Sequence, residues 1–375
     1  MNHLPQGKAL LVYGPCVSDG ESCHGAKPMR PFLFEPDLSG TVRGRRTVAF
    51  LRRCSMRIVS LLPAATDWLV AFGAAEDVVG RSHACDAPAV RHAAVLTRPA
   101  IPVDGDSAEI DHAVRTTLEQ GLSVFDLDLD ALRALQPDLV VTQAQCAVCA
   151  VPLATLEERL AEGLGDAPRL VSLEPRTFKE TLDAGLGLGR AAGRFARAME
   201  VVGEGEARLR ALHERLGRRR DGTLAGRAVP TVACIEWMEP IMTAGHWMPD
   251  LVDLAGGHAV CAEAGARSDY VTWDALRQTD PDVLVVAACG FTLEQTRRDL
   301  HLLTARPGWD ALRAVRSGRV YLFDGDAYFN RPGPGLYRSV ELLAAALHGP
   351  AACGDGTEPE PWEMERLALT PSPNA

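Results

Sequence analysis

The sequence predicts an α/β protein in which two parallel-sheet lobes are joined by a long backbone helix, with a ligand cleft between the lobes. The first observation is an internal repeat: Asp130–Asp138 leads into the aliphatic run 139–141, and Asp274–Asp282 leads into the run 283–286. Each copy is a helical stretch that stops at a proline before a continuous aliphatic run, which is typical of a buried parallel strand. The second observation is that residues 176–219, between the copies, carry apolar residues at helical spacing. Two related lobes with a helical connector follow.

Strand-like and helical stretches alternate in both lobes, as parallel sheets covered by helices require. We place the first lobe at residues 56–174, the helical connector at 175–220 and the second lobe at 221–349. In the first lobe the predicted strands are 57–61, 78–82, 124–128, 138–143 and 169–173, and helices are predicted near 64–73, 111–120, 129–136 and 153–163. In the second lobe the predicted strands are 231–236, 283–288 and 319–323, and helices are predicted near 248–255, 273–279, 292–303 and 335–347. A connector helix of about 25 residues would be a stiff strut about 37 Å long.

The composition is typical of a soluble globular chain that is long enough for two domains. The 375 residues are 47% hydrophobic and 23% charged. A formal net charge of −10 argues against a nucleic-acid partner and against an anionic membrane surface. No stretch approaches the roughly 18 uninterrupted apolar residues of a membrane span, so we expect no membrane insertion.

The two ends of the chain lack periodic apolar patterns. Residues 1–55 are rich in Gly and Pro, and we expect a disordered or mis-called extension with Met56 as the true start. Residues 350–375 predict a disordered tail. The apolar run 9–13 is too short for a signal-peptide core, and ten cysteines scattered through so long a chain are typical of a reducing compartment. We therefore expect a cytoplasmic protein, and a periplasmic one only if the start is wrong.

Candidate ligand-binding residues lie in the loops that follow the strands, because open parallel sheets bind ligands beyond the carboxyl ends of their strands. Five aromatic residues fall in such loops of a chain that is only 6% aromatic, which favours a large planar ligand. The candidates of the first lobe are Pro63, Ala64, Ala65, Thr66, His83, Cys85, Asp86, Gln143 and Cys146. The candidates of the second lobe are Trp237, Gly245, His246, Trp247, Phe291, Tyr328, Phe329, Asn330 and Arg331.

A cysteine pair leaves a second kind of function open. Cys146 and Cys149 have the spacing of half a thiolate metal site or of a redox pair, and His83 and Cys85 would complete four ligands if the loops converge. This alternative is a metal-binding or redox enzyme. A single such pair is weak evidence, since partly buried, unreactive cysteines are the default. We assign no catalytic residue and no metal.

Four segments carry a resemblance to a known family. They are 57–66, which begins Arg-Ile-Val-Ser and ends Pro-Ala-Ala-Thr; 79–88; the pair Gly256-Gly257; and 327–334, Ala-Tyr-Phe-Asn-Arg-Pro-Gly-Pro. Together with the Pro-Asp-Leu-Val strand they resemble cobalamin-binding proteins of the iron-siderophore and cobalamin periplasmic-binding superfamily, over about residues 56–349. The resemblance implies the class III periplasmic-binding fold, with cobalamin held between the lobes as a ligand and no catalysis.

The resemblance also implies which loops face the ligand: 63–66, 83–86, 245–247 and 328–331. Because imidazole can ligate cobalt, His83 or His246 would either occupy an axial position or contact a corrin amide. Transport members dock on a permease through an acidic residue on each lobe. Asp274 roughly matches the second-lobe position, whereas the helix after Cys149 lacks the first-lobe glutamate.

The leading hypothesis is non-catalytic binding of a corrinoid for uptake, storage or hand-over, in a branch of the family without a signal peptide. Its partners would be the corrinoid and either an ABC permease or a cobalamin-handling protein. Besides the metal or redox enzyme, a third hypothesis is an exported substrate-binding protein of a cobalamin or siderophore ABC transporter.

Overall fold

The first half of the described chain folds around an all-parallel sheet. The computed structural model describes residues 11–12, 56–120, 123–143, 168–219, 221–226, 228–354 and 358–368. The first-half strands are β1 (Leu11–Val12), β2 (Ile58–Ser60), β3 (Val78–Arg81), β4 (Ala94–Val95), β5 (Thr97–Pro99), β6 (Phe125–Leu127), β7 (Leu139–Thr142) and β8 (Arg169–Ser172), and the helices are α1 (Pro63–Ala71), α2 (Ser107–Glu119) and α3 (Leu129–Ala134). Within the described residues, six strands form a parallel sheet in the order β1-β8-β7-β2-β3-β4.

One predicted strand of this half lies outside the main sheet. The prediction at 124–128 is realised as β6, which pairs antiparallel with β5 in a separate two-stranded sheet. An inner parallel strand is buried on both faces and therefore needs a continuous apolar run. In β6 the middle residue, Asp126, is exposed, so this segment does not meet that requirement.

Two helices connect the lobes, α4 (Phe178–Ala191) and α5 (Phe195–Leu216). The Thr177 side chain accepts a hydrogen bond from the backbone N–H of Glu180 and so caps α4. Gly217, with φ of 64°, ends α5 in the left-handed conformation that glycine adopts without strain. The predicted strut is thus α5, whose 22 residues span about 33 Å.

The second half folds around a mixed sheet. Its strands are β9 (Thr231–Met238), β10 (Ile241–Thr243), β11 (His258–Val260), β12 (Asp269–Tyr270), β13 (Val283–Val286), β14 (Val320–Phe323) and β15 (Met364–Arg366), and its helices are α6 (Met248–Leu254), α7 (Trp273–Thr279), α8 (Leu293–Asp299), α9 (His301–Thr304), α10 (Arg313–Arg316), α11 (Gly325–Tyr328) and α12 (Leu336–His348). In the described part of the chain the strand order is β12-β10-β9-β13-β14-β15, with β11 also beside β9. β9, β11, β13 and β14 are parallel, whereas β10 and β15 run antiparallel to the strands they join.

The internal repeat is visible in hydrogen bonds as well as in sequence. Asp138, just before β7, accepts a bond from the backbone N–H of Arg57 at 2.7 Å, beside β2. Asp282, just before β13, accepts a bond from the backbone N–H of Thr231 at 2.9 Å, at the start of β9. In each lobe this aspartate ties the beginning of the repeat strand to its neighbour.

The connector helix contributes to the apolar core of both lobes. Ala198 and Val202 pack with the first-lobe core around Trp68, and Leu209 and Leu212 pack with the second-lobe core. The lobes are therefore joined by a rigid element that is itself buried at both ends.

The predicted disordered tail is wrong for most of its length. Residues 358–368 lie along the second lobe, where β15 pairs with β14 and Glu363 accepts a hydrogen bond from Arg338 Nε at 2.9 Å. One short edge strand and one ion pair keep this segment against the second lobe. It therefore needs no periodic apolar pattern, and the sequence shows none. Of the predicted extension, the structure describes 11–12, which pair with β8; the rest of that segment and the predicted helix 153–163 lie outside the described residues.

Among the helices described, none has both the length and the apolar character needed to traverse a bilayer.

Close packing between α5 and α12 gives a stability prediction. A Cβ at Gly205 would lie 2.1 Å from Cε2 of Tyr337, whereas a Cβ at Gly203, two residues earlier on the same helix, would meet nothing within 4 Å. We expect Gly205→Ala to lower the free energy of unfolding by about 1–3 kcal/mol through overpacking. We expect Gly203→Ala to raise it by up to about 1 kcal/mol through helix propensity. Urea unfolding midpoints at unchanged slope measure both effects, and equal effects of the two changes would contradict this packing.

Candidate functional site

The lobes meet through loops that follow their strands. Arg331, in the loop after β14 and α11, reaches Asp86 in the loop after β3. Next to it, the indole N–H of Trp68 in α1 donates to the carbonyl of Pro332 at 3.2 Å. At a second place the indole N–H of Trp237, at the end of β9, donates to the carbonyl of Ser107 at 3.0 Å. The loops predicted to line a cleft therefore include residues at the contact between lobes.

Arg331 is held by carboxylates from both lobes. Its Nη1 and Nη2 donate to the two carboxylate oxygens of Asp86 at 2.7 and 3.2 Å, and Nη2 also donates to Asp326 at 2.6 Å. Asp67 of α1 lies 3.9 Å from Nη1. The Arg331 side chain is only 11% exposed. Two predicted ligand residues, Arg331 and Asp86, thus pair with each other through two of the five guanidinium N–H groups, and Asp326 accepts a third hydrogen bond.

The environment of this cluster shifts its proton equilibria. Burial raises the pKa of Asp67 to about 6; the charge of Arg331 opposes this rise, and the charges of Asp86 and Asp326 add to it. Burial alone would raise the pKa of Asp86, but the hydrogen bond and the charge of Arg331, with smaller contributions from a backbone N–H and from Arg81, together hold that pKa below its usual range. Against the opposing effect of burial, the bonds to Asp86 and Asp326 raise the pKa of Arg331, which stays charged.

The second contact between lobes is more deeply buried. The backbone N–H of Ser107, at the start of α2, donates to Asp299 at 2.7 Å, and the side chain of Asp299 is 1% exposed. Arg298 donates to the carbonyl of Gly105 at 2.8 Å, and the Tyr270 hydroxyl donates to Asp111 at 2.9 Å. These bonds and the one from Trp237 to Ser107 all join α2, or the residue Gly105 just before it, to the second lobe, and we call them together the α2 contact.

His246 occupies a constrained position after β10. Its φ of 50° is unusual for a residue other than glycine, and its backbone N–H donates to the carbonyl of Ala266 at 2.6 Å. Gly245 precedes it because a Cβ there would lie 2.6 Å from that same carbonyl oxygen. The imidazole Nε2 is buried and has no hydrogen-bond partner within the described ranges. Burial, with the charges of Arg267 and Arg176, lowers the pKa of His246, so the ring is neutral at pH 7.

A small cavity adjoins His246. Its volume is about 20 Å³, room for about one water molecule. Trp247 stacks near the imidazole with ring centroids 5.7 Å apart, and its indole N–H donates to the carbonyl of Phe329 at 2.9 Å. Glu236 and Asn330 also line the cavity. Five of the predicted second-lobe residues, Gly245 to Trp247 with Phe329 and Asn330, are therefore brought together.

Two predicted aromatic residues belong to the α2 contact. Trp237 and Phe291 form an edge-to-face pair with centroids 5.2 Å apart, and Phe291 is buried. Because α2 covers the indole N–H of Trp237, this pair packs between the lobes in the structure.

The predicted first-lobe residues pack mostly against each other. Ala64, Ala65 and Thr66 are buried, and the Thr66 hydroxyl lies 2.9 Å from Ser60 Oγ and 3.0 Å from Cys85 Sγ. Pro63 opens α1 at its first position, and Gln143 is buried at the end of β7. These residues are therefore buried within the first lobe and contact one another.

The described residues include only His83 and Cys85 of the four residues in the metal or redox alternative. His83 Nδ1 shares a hydrogen bond with the Thr97 hydroxyl at 2.7 Å. Cys146 and Cys149 lie outside the described residues, and within the described ranges no three His, Cys, Asp or Glu side chains are grouped so as to hold a metal ion. Burial, opposed by the hydrogen bond with Thr66, raises the pKa of the Cys85 thiol to about 11.

Tyr328 lies apart from the other predicted residues. Its ring stacks near Trp362 of the C-terminal segment, with centroids 6.2 Å apart. Sequence reasoning missed Asp67 and Asp326, which bind Arg331, and Ser107 and Asp299 of the α2 contact. A usable signal was present for Asp326, which is an acidic residue in the first turn of a helix that follows a strand, whereas Asp67 lies in the second turn of α1.

Comparison with known proteins agrees with this architecture. A protein-family model described as periplasmic binding protein matches residues 58–327. Among similar solved structures are a periplasmic heme-binding protein from Pseudomonas aeruginosa (20% identity, TM-score 0.57, 78% of this chain and 92% of that one) and the periplasmic vitamin B12-binding protein of Vibrio cholerae (19%, 0.55, 78% and 96%). A periplasmic heme-binding protein from Roseiflexus is similar as well (21%, 0.56, 80% and 99%). A search of curated protein sequences found no match. At such identities the structures confirm the predicted two-lobe fold.

The expected cytoplasmic location is contradicted. The matching family model describes periplasmic binding proteins, and the similar structures above are periplasmic proteins. The expectation relied on finding no export pattern in residues 1–55 and on the scattered cysteines, and neither observation outweighs a match across both lobes.

The buried Cys85 thiol gives a prediction about reactivity. With a pKa near 11, only about one thiol in a thousand is ionised at pH 8. We expect iodoacetamide at pH 8 to leave Cys85 unmodified in the native protein while the exposed Cys289 reacts, as read by peptide mass spectrometry. Equal labelling of the two cysteines would contradict the environment described for Cys85 and revive the redox alternative.

Proposed function

This chain belongs to the periplasmic binding protein family, and we propose that it binds a corrinoid, without catalysis, between its lobes for uptake through an ABC permease. Cobalamin would be the ligand and not a catalytic cofactor. The proposal joins the family, the geometry around His246 and the sequence segments that resemble cobalamin-binding proteins.

The observation that carries the proposal is the state of His246. A buried imidazole nitrogen without a hydrogen-bond partner in the protein is costly unless a ligand or a water molecule in the adjoining cavity satisfies it. The lowered pKa leaves the ring neutral, which is the form that binds metals. Imidazole is a suitable ligand for late first-row transition metals. We therefore assign His246 to the metal centre of the ligand, and cobalt with an exchangeable axial position satisfies that nitrogen.

The surroundings of His246 suit the rim of a corrin. The partly buried Trp247 offers an apolar face next to the imidazole, as planar ligands require. Asn330, whose side-chain amide donates weakly to the carbonyl of Ala288 at 3.4 Å, offers a neutral polar group. Neutral amide groups pair with the amide side chains of a corrin without an opposite charge. The competing ligands are haem and ferric siderophores. Spectroscopic titration distinguishes their binding from that of a corrinoid.

The permease contact is proposed from the repeat. Asp130 and Asp274 hold equivalent positions in the first turns of α3 and α7, with side chains 97% and 79% exposed. Each forms a similar loose ion pair, with Arg133 and Arg277 respectively. Both helices lead into the beginning of a parallel strand, so their first turns lie toward the carboxyl edge of each sheet. In this proposal Asp130 is the first-lobe acidic residue of the permease contact, in place of the glutamate that is absent from the helix predicted after Cys149.

Spectroscopic titration tests the ligand and the role of His246. We expect hydroxocobalamin to bind one-to-one with a shift of its visible bands. Because His246 would supply the axial nitrogen, His246→Ala should abolish the band shift and weaken binding at least tenfold, about 1.4 kcal/mol. Trp247→Ala should weaken binding while leaving the band shift in the fraction bound.

The matched control is His258→Ala, which removes an exposed imidazole of the same lobe and should change neither quantity. Saturable binding of haem or of a ferric siderophore, with no response to hydroxocobalamin, would overturn the corrinoid assignment. A band shift that persists in His246→Ala would exclude this histidine as the axial ligand.

Charge reversal tests the permease contact. We expect Asp130→Lys with Asp274→Lys to reduce cellular uptake of labelled cyanocobalamin at least tenfold, because two attractive contacts become repulsive. Binding of the corrinoid by the purified variant should be unchanged. Reversal of Asp183, an exposed acid on the connector, is the control; an equal loss of uptake in that variant would show a nonspecific charge effect.

A further inference from the structure

Ligand entry requires the lobes to separate. The cavity at His246 holds about 20 Å³, whereas pockets for drug-sized ligands measure about 300–1,000 Å³. Among the described residues, side-chain hydrogen bonds join the lobes at two places, the α2 contact and the cluster of Arg331 with Asp67, Asp86 and Asp326, which we call the Arg331 cluster. One of the two must open when a ligand of corrinoid size enters.

The two contacts differ in what opening would expose. At the α2 contact, separation would leave Asp299, 1% exposed, and the buried Ser107 without partners from the other lobe. A buried carboxylate that loses a hydrogen-bond donor is costly. In the Arg331 cluster the side chain of Asp86 is already 66% exposed, and Asp326 of the same lobe keeps Arg331 paired after separation. Opening therefore costs less free energy at the Arg331 cluster than at the α2 contact.

We propose that the Arg331 cluster is a proton-sensitive latch between the lobes, with Asp67 as its titrating group and the α2 contact as its pivot. The proposal rests on the proposed function only in that the ligand enters between the lobes. Its test uses no ligand, so its failure and the failure of corrinoid binding are separate results.

The groups around Asp67 set the sign of the pH dependence. From the C-terminal lobe it faces Arg331 and Asp326, and from the loop after β3 it faces Asp86 and Cys85. With the lobes together, burial raises the pKa of Asp67 from 3.8 to about 6. With the lobes apart, the carboxyl group is hydrated and returns toward 3.8. Closing therefore takes up a proton: the added stability of the closed form is complete below pH 3.8 and is lost as the pH rises through about 6.

Hydrogen exchange of two indole groups measures the latch and the pivot separately. The Trp68 indole N–H donates to Pro332 beside the latch, and the Trp237 indole N–H donates to Ser107 in the α2 contact. Exchange through opening gives a protection factor that follows the closed-to-open ratio. In the full chain labelled with 15N-tryptophan, we expect Trp68 protection to rise about tenfold from pH 7 to pH 5. Trp362, which is 61% exposed, supplies the intrinsic rate at each pH.

Variants assign the effect to Asp67. In Asp67→Asn the side chain is permanently neutral, so Trp68 protection should be high at pH 7 and should not rise at pH 5. Asp86→Asn removes the bidentate partner of Arg331 and should lower Trp68 protection at both pH values without changing that of Trp237. Asp126→Asn breaks an exposed ion pair within the first lobe and should behave as the wild type does.

The latch is refuted if Trp68 protection in the wild type is the same at both pH values, or if Asp67→Asn keeps the wild-type dependence on pH. Equal protection of Trp68 and Trp237 under all conditions would refute the pivot.

Discussion

The position of the ligand site depends on one helix that is buried in two cores. Ala198 and Val202 of α5 pack among the apolar residues of the first lobe, while Leu209 and Leu212 of the same helix pack in the second. The Tyr337 hydroxyl of α12 donates to the carbonyl of Val202, which ties the second lobe to the middle of the helix. A sharp kink in a helix breaks hydrogen bonds or core contacts. The connector therefore holds the two sheets together at one side, and separation of the lobes opens the contact between the strand-end loops.

The sequence predicted the parallel strands well because their burial on both faces leaves a continuous aliphatic run. β7 and β13 lie where the repeat places them, and the aspartate before each has the same structural role. β10, β12 and β15 were missed. They are strands of two or three residues at or next to the edges of the sheet, and they need no apolar period of their own, since pairing with a neighbouring strand or an ion pair such as that of Glu363 stabilises them. Such contacts are set by tertiary structure, and sequence spacing does not reveal them.

For the site, the sequence identified the loops but not the directions of their side chains. The placement of functional loops at strand ends follows from the topology of parallel sheets, and His246, Trp247 and Asn330 are indeed together. Tyr328 ends the short helix α11 and Phe329 follows it, yet Tyr328 lies against Trp362 while Phe329 is buried against Phe323. Arg331 was predicted as a ligand residue because its loop follows the last strand of the second lobe and resembles a cobalamin-facing loop of the family. Asp326 lies five residues before Arg331, but Asp86 lies 245 residues before it and Asp67 lies farther still, and local pattern analysis does not relate segments so far apart.

The two ends of the contact between lobes carry different chemistry, and this division matters for a large chelate. At His246, burial and the charges of Arg267 and Arg176 lower the pKa of the imidazole. The ring is therefore neutral at the nitrogen that we propose binds the metal of the ligand. Around Arg331 one guanidinium faces three carboxylates, so an excess of negative charge remains that protonation of Asp67 relieves. In the two proposals, His246 contributes to the contact with the ligand and Asp67 contributes to the energy of closure. His246→Ala and Asp67→Asn therefore separate ligand binding from lobe closure, because each removes the group that acts on one of the two properties.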